Sequence, residues 1–399
     1  MSLLDFLAHG WTQSPTWLVL TYFLVVTQLT IFSVTLFLHR SAAHRAVDFH
    51  PLLAHFFRFW AWLTTAMITR EWAAIHRKHH AKVETEEDPH SPVAHGIWNV
   101  VIHGVVLYQQ ARKDREMVMQ YSVGLSDDWI ERKLYAAHNA WGPSLMFFIN
   151  FALFGFVGVA IWAVQMLWIP IMAAGVVNGL GHWWGYRNFE TDDCSTNLTP
   201  WGLVIGGEEL HNNHHAFPSS AKFALRKYEV DIGWVAIRVF ERLGLAKVLR
   251  VAPSLAQRPN IVLPDTDTLK AVVVARFDVS KRYFREVIVP VLREEMAQAG
   301  ATRERLSRRL RNALANNGRW LNEDMRKRLN DWVAHRPSLA TVCEFRDRLQ
   351  AVMARTALNS EARLHALQEW CHQADASRIR ALERFSAQIR GMMLVPARA

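Results

Sequence analysis

Histidines at short, repeated spacings are the feature of this sequence that most clearly indicates chemistry. His211, His214 and His215 lie within five residues, and the segment 76–80 repeats the same spacing. Positions i, i+3 and i+4 share one face of an α-helix, so the imidazoles of each set point the same way. Solubility does not require such a set, and a packed core seldom does, whereas a metal ion does. We therefore predict a metal centre built from several segments.

Two further segments supply more histidines. His39 and His44 follow the end of an apolar run, and His182 lies four residues after Asn178. His39 and His44 are about 140° apart around an α-helix, so they cannot both face one ion squarely and could reach two different metal ions. The predicted ligands are His39, His44, His76, His79, His80, His182, His211, His214 and His215.

This ligand set predicts two transition-metal ions. Nine histidines exceed the capacity of one ion but match two ions with four or five ligands each. Imidazole suits zinc, copper, iron and nickel, and the scarcity of oxygen ligands argues against magnesium or calcium. Two redox metals beside a membrane, with no signature of an organic cofactor, favour activation of dioxygen. No catalytic residue beyond the metal ligands is predicted.

Long uncharged runs predict an all-α integral membrane domain over residues 1–250. Residues 17–38 carry no charge and are long enough to cross about 30 Å of hydrocarbon. The uncharged region 143–181 suits two spans, at about 143–162 and 164–181, joined by a tight turn. Arg40 and the Lys/Arg-rich segments 76–82 and 112–115 place the histidine side in the cytosol by the positive-inside rule.

The segment at about 52–69 is apolar but carries His55 and Arg58. Histidines on both sides of this segment are predicted to serve one metal centre, so a single crossing is excluded. We interpret it as an interfacial or re-entrant helix. Residues 96–138 mix apolar and charged positions at helical spacing, which predicts cytosolic amphipathic helices. Residues 1–16 lack a basic n-region, so no cleavable signal peptide is expected.

The C-terminal part has a different composition. A proline-punctuated linker is predicted at 251–265, followed by a soluble, basic, helical region at 266–399 with helices at about 302–315 and 358–392. Residues 262–399 hold 25 Lys and Arg against 16 Asp and Glu, almost all of the formal charge of +10. These side chains could attract anionic lipid or an acidic electron donor, or form ordinary solvated helix faces. The stretch from Leu367 faintly resembles helical tails of some transposases, from which we infer no nucleic-acid binding.

The histidine motifs resemble those of the membrane-bound fatty acid desaturases, in the stearoyl-CoA or acyl-CoA Δ9 branch and of bacterial type. Asn178-x3-His182 matches a further ligand position of that branch, and the resemblance covers roughly residues 15–250. The animal members have two spans before the first histidine pair, whereas this chain has room for one. Flanking residues also agree: Glu71-Trp72, Asp88-Pro89-His90, Gly185-Tyr186-Arg187 and Phe217-Pro218.

The resemblance implies an enzyme that uses two iron ions and dioxygen to insert a cis double bond, at the Δ9 position, into a long-chain acyl-CoA or phospholipid. It implies that Asn178 holds a water bound to one iron. A cytochrome b5 motif, His-Pro-Gly-Gly, is not found, so an external donor such as a ferredoxin or a cytochrome b5-like protein with its reductase is expected to supply electrons. We expect the inner membrane of a bacterium, with a cytosolic active site, and a role in unsaturated fatty acid biosynthesis.

Several alternatives accompany this prediction. The same scaffold could hydroxylate lipids or alkanes. A metal transporter or sensor is disfavoured because its ligands would lie at mid-membrane, whereas these lie at or beyond the ends of the spans. Glu208, Glu209 and Asp88 could hydrogen-bond ligand imidazoles or be ordinary solvated carboxylates. Trp72, Trp183 and Trp184 could line the acyl tunnel or lie in the membrane interface, and this choice is left open. Six further histidines are interpreted as surface or core residues and not as ligands: His50, His55, His90, His95, His103 and His138.

Overall fold

A computed structural model describes residues 1–298, 313–315, 318, 321–354 and 359–395. These residues are predominantly helical and fall into two compact units. The first unit covers Met1–Ala252, and the second begins at Pro253. Each unit contains hydrophobic clusters of its own.

The first unit contains eleven described α-helices, several of which continue into π-helical segments. The α-helices are α1 Leu3–His9, α2 Thr16–Phe32, α3 Pro51–Thr65, α4 Thr69–Lys82, α5 Pro92–His95, α6 Ile97–Ala111, α7 Arg115–Tyr121, α8 Trp141–Phe154, α9 Phe156–Ile169, α10 His211–Ala216 and α11 Ile232–Arg242. The π-helical segments of this unit are Ser33–Ala43, Glu131–Ala136 and Pro170–Gly179, and a short 3₁₀ turn covers Leu180–His182.

Two continuous helices are long and apolar enough to cross a membrane. The first joins α2 to the following π-helix over Thr16–Ala43, and the second joins α9 to its π-helical and 3₁₀ continuation over Phe156–His182. Helix α8 is apolar but shorter. The first span was predicted at 17–38, whereas the helix continues to Ala43 and so includes His39.

The predicted break between the second and third spans, at residues 162–164, is wrong. The helices part at Gly155, so α8 is shorter and the helix from α9 is longer than expected. Gly155 has a φ of 60°, and a Cβ there would lie 2.4 Å from the carbonyl oxygen of Leu7. The turn therefore needs glycine both for its backbone conformation and for close packing against α1. Apolar periodicity could not reveal this break because both helices are apolar throughout.

The helices between the spans pack against them. Helix α3, within the predicted interfacial segment 52–69, packs beside α2 and α8 and ends at Ala66 in a left-handed conformation. Helix α6 lies along the π-helical part of the long helix, where a Cβ on Gly104 would come within 2.7 Å of the Ala174 Cβ. The outer side of α6 exposes Trp98, Ile102 and Val106. The positions of α3 and α6 relative to a membrane stay predictions.

Short strands join distant parts of the first unit. Strand β1 (Val47–Phe49) pairs antiparallel with β4 (Ala246–Val248), and β2 (Trp201–Gly202) pairs parallel with β3 (Val230–Asp231). The buried guanidinium of Arg40 donates to the Asp231 carboxylate, with nitrogen–oxygen distances of 3.0 Å. The β1–β4 pair and the Arg40–Asp231 contact hold the end of the first long helix and the strand after it against residues 231–248, which follow α10.

The described residues of the second unit form a helical body with one strand pair. Strand β5 (Ser254–Gln257), within the segment predicted as a linker, pairs antiparallel with β6 (Met392–Val395). The predicted helix at 358–392 is two helices, with a break at Arg378, whose φ is 56°. Most of the predicted helix at 302–315 lies outside the described residues. The described α-helices are α12 Thr266–Val274, α13 Arg276–Tyr283, α14 Val289–Gln298, α15 Glu323–Ala334, α16 Pro337–Met353, α17 Ser360–Ala376 and α18 Arg380–Gly391, with a π-helical segment at Phe284–Ile288.

Candidate metal centre

The structure brings the nine predicted histidines together as two neighbouring groups. Within each group, one nitrogen from every imidazole lies within 4.8 Å of the others. The five-histidine group consists of His39, His44, His76, His80 and His214. The four-histidine group consists of His79, His182, His211 and His215.

Helices α4 and α10 each contribute histidines to both groups. The group that receives two histidines from α4 receives one from α10, and the other group receives one from α4 and two from α10. On α4, His76 and His80 join the five-histidine group, while His79 joins the other. On α10, the first and last histidines of its motif join the four-histidine group, while His214 joins the five-histidine group. Positions i and i+4 thus share a group, and position i+3 lies sufficiently far around the helix to reach the neighbouring group. Each helix therefore bridges the two groups.

The expectation that His39 and His44 reach different metals is wrong. Both belong to the five-histidine group, and their ring centroids are 4.9 Å apart. The chain here is a π-helix, in which the His44 N–H donates to the His39 carbonyl oxygen over 3.1 Å. An i→i+5 hydrogen bond places residue i+5 one turn beyond residue i on the same side. The 140° separation of an α-helix therefore does not apply.

The ligand nitrogens are spaced as a shared metal ion requires. A metal–imidazole bond is about 2.0–2.1 Å long, so neighbouring ligands at right angles to each other are about 3 Å apart. Five Nε2–Nε2 distances lie between 2.8 and 3.1 Å: His44–His76, His76–His80, His80–His214, His39–His214 and His182–His211.

Hydrogen bonds between imidazoles do not explain these contacts. The Nε2 atoms of His76 and His214 each approach two other Nε2 atoms at once. A neutral imidazole has one N–H, and for His39 that proton is held at Nδ1 by a carboxylate. Nε2 of His79 and of His215 is also buried and has no hydrogen-bond partner among the described residues. The donor set fits metal ions bound through Nε2.

Four carboxylates receive hydrogen bonds from the Nδ1 side of these rings. This arrangement fixes the tautomer and orients Nε2 toward the centre of each group. The Nδ1-to-oxygen pairs are His39–Glu208 at 2.7 Å, His79–Asp88 at 3.0 Å, His215–Asp193 at 2.9 Å and His182–Glu84 at 3.4 Å.

Sequence reasoning found two of these carboxylates and missed the other two. Glu208 and Asp88 are hydrogen-bonded to the imidazoles of predicted ligands, as one of the two interpretations held. Asp193 and Glu84 were not singled out. Glu84 stood within a run of acidic residues, and its φ of 62° turns the chain after α4 back toward the histidines. No local spacing relates either residue to its histidine.

Glu209 has a different role from the one considered for it. Its carboxylate accepts hydrogen bonds from the backbone N–H groups of Val204, Ile205 and Gly207. It therefore holds the glycine-containing loop before α10 in place. Among the described contacts, it has none with a histidine, so it positions the backbone and not an imidazole.

Burial keeps six of these imidazoles neutral and available to metal. It lowers the pKa of five of these histidines well below the usual value, and the neighbouring imidazoles lower the pKa further; these are His44, His76, His80, His211 and His214. Burial lowers the pKa of His215 to about 4, although Asp193 raises it. At neutral pH a metal ion does not compete with protons for these nitrogens.

An apolar cavity of about 170 Å³ adjoins both groups. At its metal end it is lined by His39, His76, His211 and Asn178. Asn178 thus lies in the cavity wall, although it belongs to neither histidine group. Trp72 also lines the cavity and stacks on His76 with ring centroids 5.0 Å apart. An acyl chain in this cavity would pass beside both groups.

The remaining candidates have mixed outcomes. His90 is buried, contacts His79 at a ring distance of 4.4 Å and forms a third possible ligand group with His79 and Asp88. His50, His55, His95, His103 and His138 lie in no described ligand group. Trp183 and Trp184 are exposed and do not line the cavity.

Comparisons with known proteins agree with this geometry. A family model described as fatty acid desaturase matches residues 15–235. Delta-9 acyl-lipid desaturase 2 of Arabidopsis thaliana is 31% identical, over 58% of this chain and 74% of its own. Delta-9 desaturase-like 4 protein of the same plant is 31% identical, over 62% and 81%. Icosanoyl-CoA 5-desaturase of Limnanthes douglasii is 30% identical, over 58% and 64%.

The family match covers more than half of the chain and includes every predicted ligand. The chain belongs to the fatty acid desaturase family. It is a desaturase enzyme, and therefore an oxidoreductase of lipid metabolism. Its two long apolar helices agree with membrane association.

The second unit is similar to a different family. A model described as transposase matches residues 262–393. This agrees with the faint resemblance noted for the stretch from Leu367. The match covers only the C-terminal third of the chain and includes none of the predicted metal ligands.

Proposed function

We propose that this enzyme inserts a cis double bond, at the Δ9 position, into a long-chain acyl substrate with consumption of dioxygen. The observation that carries this proposal is the apolar cavity that ends at two converging histidine groups. Relatives named as Delta-9 acyl-lipid desaturases support the position of the double bond. One relative is named for the 5-position, so the Δ9 assignment needs its own test.

The nine histidines would hold two iron ions, one in each group. Asn178, in the cavity wall beside His211, would orient a water at one of them. When bound, the two ions supply the redox chemistry that reduces dioxygen and removes two hydrogens from the acyl chain. The donor set favours iron over calcium or magnesium because all nine donors are imidazole nitrogens.

The residues of the chain perform the positioning. Glu208, Asp88, Asp193 and Glu84 hold protons on Nδ1, so that Nε2 stays a bare donor. The cavity walls exclude water and hold one methylene pair beside the histidines. Removal of hydrogen from an unactivated methylene needs close, fixed contact, so the shape of the cavity sets the position of the double bond.

We further propose an acyl-CoA or a phospholipid as substrate and an external electron donor such as a ferredoxin or a cytochrome b5-like protein with its reductase. The proposed location is the inner membrane of a bacterium, with both histidine groups on the cytosolic side. Helix α1 and the turn at Gly155 pack together at the N-terminal ends of the two long helices. The histidines lie at or near the other ends of these helices. That proximity supports a hairpin of α8 and α9 that returns to the histidine side.

The test is lipid analysis of a host that lacks this activity, with the wild-type chain, His214→Ala and His103→Ala. His103 is exposed and belongs to no described ligand group, so it is the matched control. We expect a new cis-monounsaturated acyl chain with the wild type and with His103→Ala, and none with His214→Ala. The position of its double bond tests the Δ9 assignment.

Other outcomes would overturn parts of the proposal. A hydroxylated product that needs His214 would replace desaturation by hydroxylation. Purified protein with less than about one iron per chain would contradict the two-iron assignment, because two groups of four or five imidazoles hold two ions. A product formed equally by His214→Ala would contradict the assigned site.

A further inference from the structure

The cavity follows one face of the long helix formed by α9 and its π-helical continuation. The lining residues on this helix recur in pairs about one turn apart. They begin at Gln165 and end at Asn178, beside the histidines. The two residues are thirteen positions apart, which is at most about 20 Å along a helix axis. Gln165 therefore marks the end of the cavity farthest from the metal groups along this helix.

Gln165 carries a polar amide at this end of the cavity. Its side chain is 8% exposed, and its Nε2 makes no hydrogen bond among the described residues. Two threonines that line the same cavity differ from it: Thr64 and Thr65 donate to the carbonyl oxygens of Trp60 and Ala61.

The position of this amide separates it from the metal chemistry. Two other cavity-lining residues, His90 and His211, have a buried nitrogen without a described partner. Both lie close to the histidine groups. Gln165 is the amide at the opposite end, in a segment long and apolar enough to span a membrane. A polar side chain within such a segment is costly and commonly serves function.

We propose that Gln165 is a specificity-determining residue that forms a polar stop for the acyl chain. A buried amide that loses its hydrogen-bond partners is unfavourable. A saturated chain whose methyl end reaches Gln165 packs an apolar group against this amide and gives it nothing to bind, whereas a shorter chain does not reach it. A chain whose end carries a hydroxyl offers the amide an acceptor.

This inference rests on the proposed function, because it concerns which acyl chains are desaturated. Its test compares the wild type with Gln165→Met, which removes the amide and nearly preserves the length of the side chain. Gln28→Met is the matched control, since Gln28 also has an unpaired buried amide nitrogen but does not line the cavity. Each protein receives an equimolar series of even-numbered saturated acyl chains, and product is measured for each length.

We expect wild-type product to fall steeply above one chain length. Gln165→Met should raise the ratio of the next longer product to the preferred one by roughly tenfold, which corresponds to about 1.4 kcal/mol. Gln28→Met should leave that ratio unchanged. A hydroxyl on the last carbon of the longer chain should improve its conversion by the wild type but not by Gln165→Met.

The outcomes separate this inference from the proposed function. If the wild type desaturates no chain, the proposed function fails first. If the wild type is active and Gln165→Met leaves the length ratio unchanged, Gln165 is not a polar stop. Equal shifts in Gln165→Met and Gln28→Met would also overturn the inference, because they would reflect general loosening of the helices.

Discussion

The two histidine groups differ in how they are supported. Among the described residues, one carboxylate contacts the five-histidine group, that of Glu208 at His39. The four-histidine group receives three, and all four of its imidazoles are buried. In the five-histidine group, His44 and His80 are only partly buried. The group with fewer imidazoles therefore has more negative charge around it.

This difference suggests that the two sites are not equivalent. A carboxylate on Nδ1 makes an imidazole more basic and so a stronger donor to a metal ion. We expect three such pairs to compensate for the smaller number of imidazoles in the four-histidine group. We expect that group to hold its metal more tightly, and the partly exposed five-histidine group to lose metal first to a chelator.

The largest expected effect follows from removing one ligand from either group. His214→Ala and His215→Ala are adjacent changes that affect different groups. Each should lower activity by more than about a hundredfold, because changes outside the ligand set already cost about 10–100-fold. Each should also lower the iron content from about two to about one ion per chain. Measurement of iron and of product in the same purified samples tests both expectations.

His103→Ala serves as the control for these two variants and should retain metal and activity. Loss of both ions in His214→Ala alone would show that the four-histidine group depends on its neighbour. Full iron content in either variant would contradict the assignment of that histidine as a ligand.

Smaller effects should follow from the carboxylates, and they should differ between the groups. Asp193→Asn removes the charged partner of His215, and Glu208→Gln removes that of His39. Each should weaken metal binding at its own group by about 10–100-fold. Glu208→Gln should have the greater effect on its group, because no described contact supplies a second carboxylate there. Titration of the metal-free protein with iron measures both.

The reverse order of effects would contradict the proposed compensation. If Asp193→Asn weakened its group more than Glu208→Gln weakened the other, the three carboxylates would act together and not as independent supports. Asp127→Asn is a suitable control, since Asp127 pairs with Arg70 and not with a histidine.

The convergence of the nine histidines could be predicted from the sequence because helical spacing is local. Three histidines at i, i+3 and i+4 restrict where a metal can lie, and the repeat of the motif doubles that restriction. The division of these histidines between the two groups could not be predicted so well. His39 and His44 share a group only because the chain forms a π-helix over Ser33–Ala43, and residue propensities do not distinguish a π-helix from an α-helix.

The supporting carboxylates were harder still to predict. Asp193 lies 22 residues from His215, and Glu84 lies 98 residues from His182. These pairs depend on tertiary packing, which no periodicity records. The helix break at Gly155 was missed for a related reason, because the contact with α1 that requires glycine comes from residues far away in the sequence.

The smallest expected effect on the metal groups comes from Glu209, the neighbour of Glu208. Glu209→Gln replaces a carboxylate oxygen that accepts the Gly207 N–H with a group that cannot accept it. The free energy of unfolding should fall by about 1–3 kcal/mol, the cost of one unpaired buried donor. Iron affinity should change much less than in Glu208→Gln, because Glu209 holds backbone and not imidazole. Thermal unfolding in detergent and iron titration of both variants separate the two roles. A loss of iron affinity in Glu209→Gln equal to that in Glu208→Gln would mean that the loop before α10, and not the carboxylate on His39, determines how the five-histidine group binds metal.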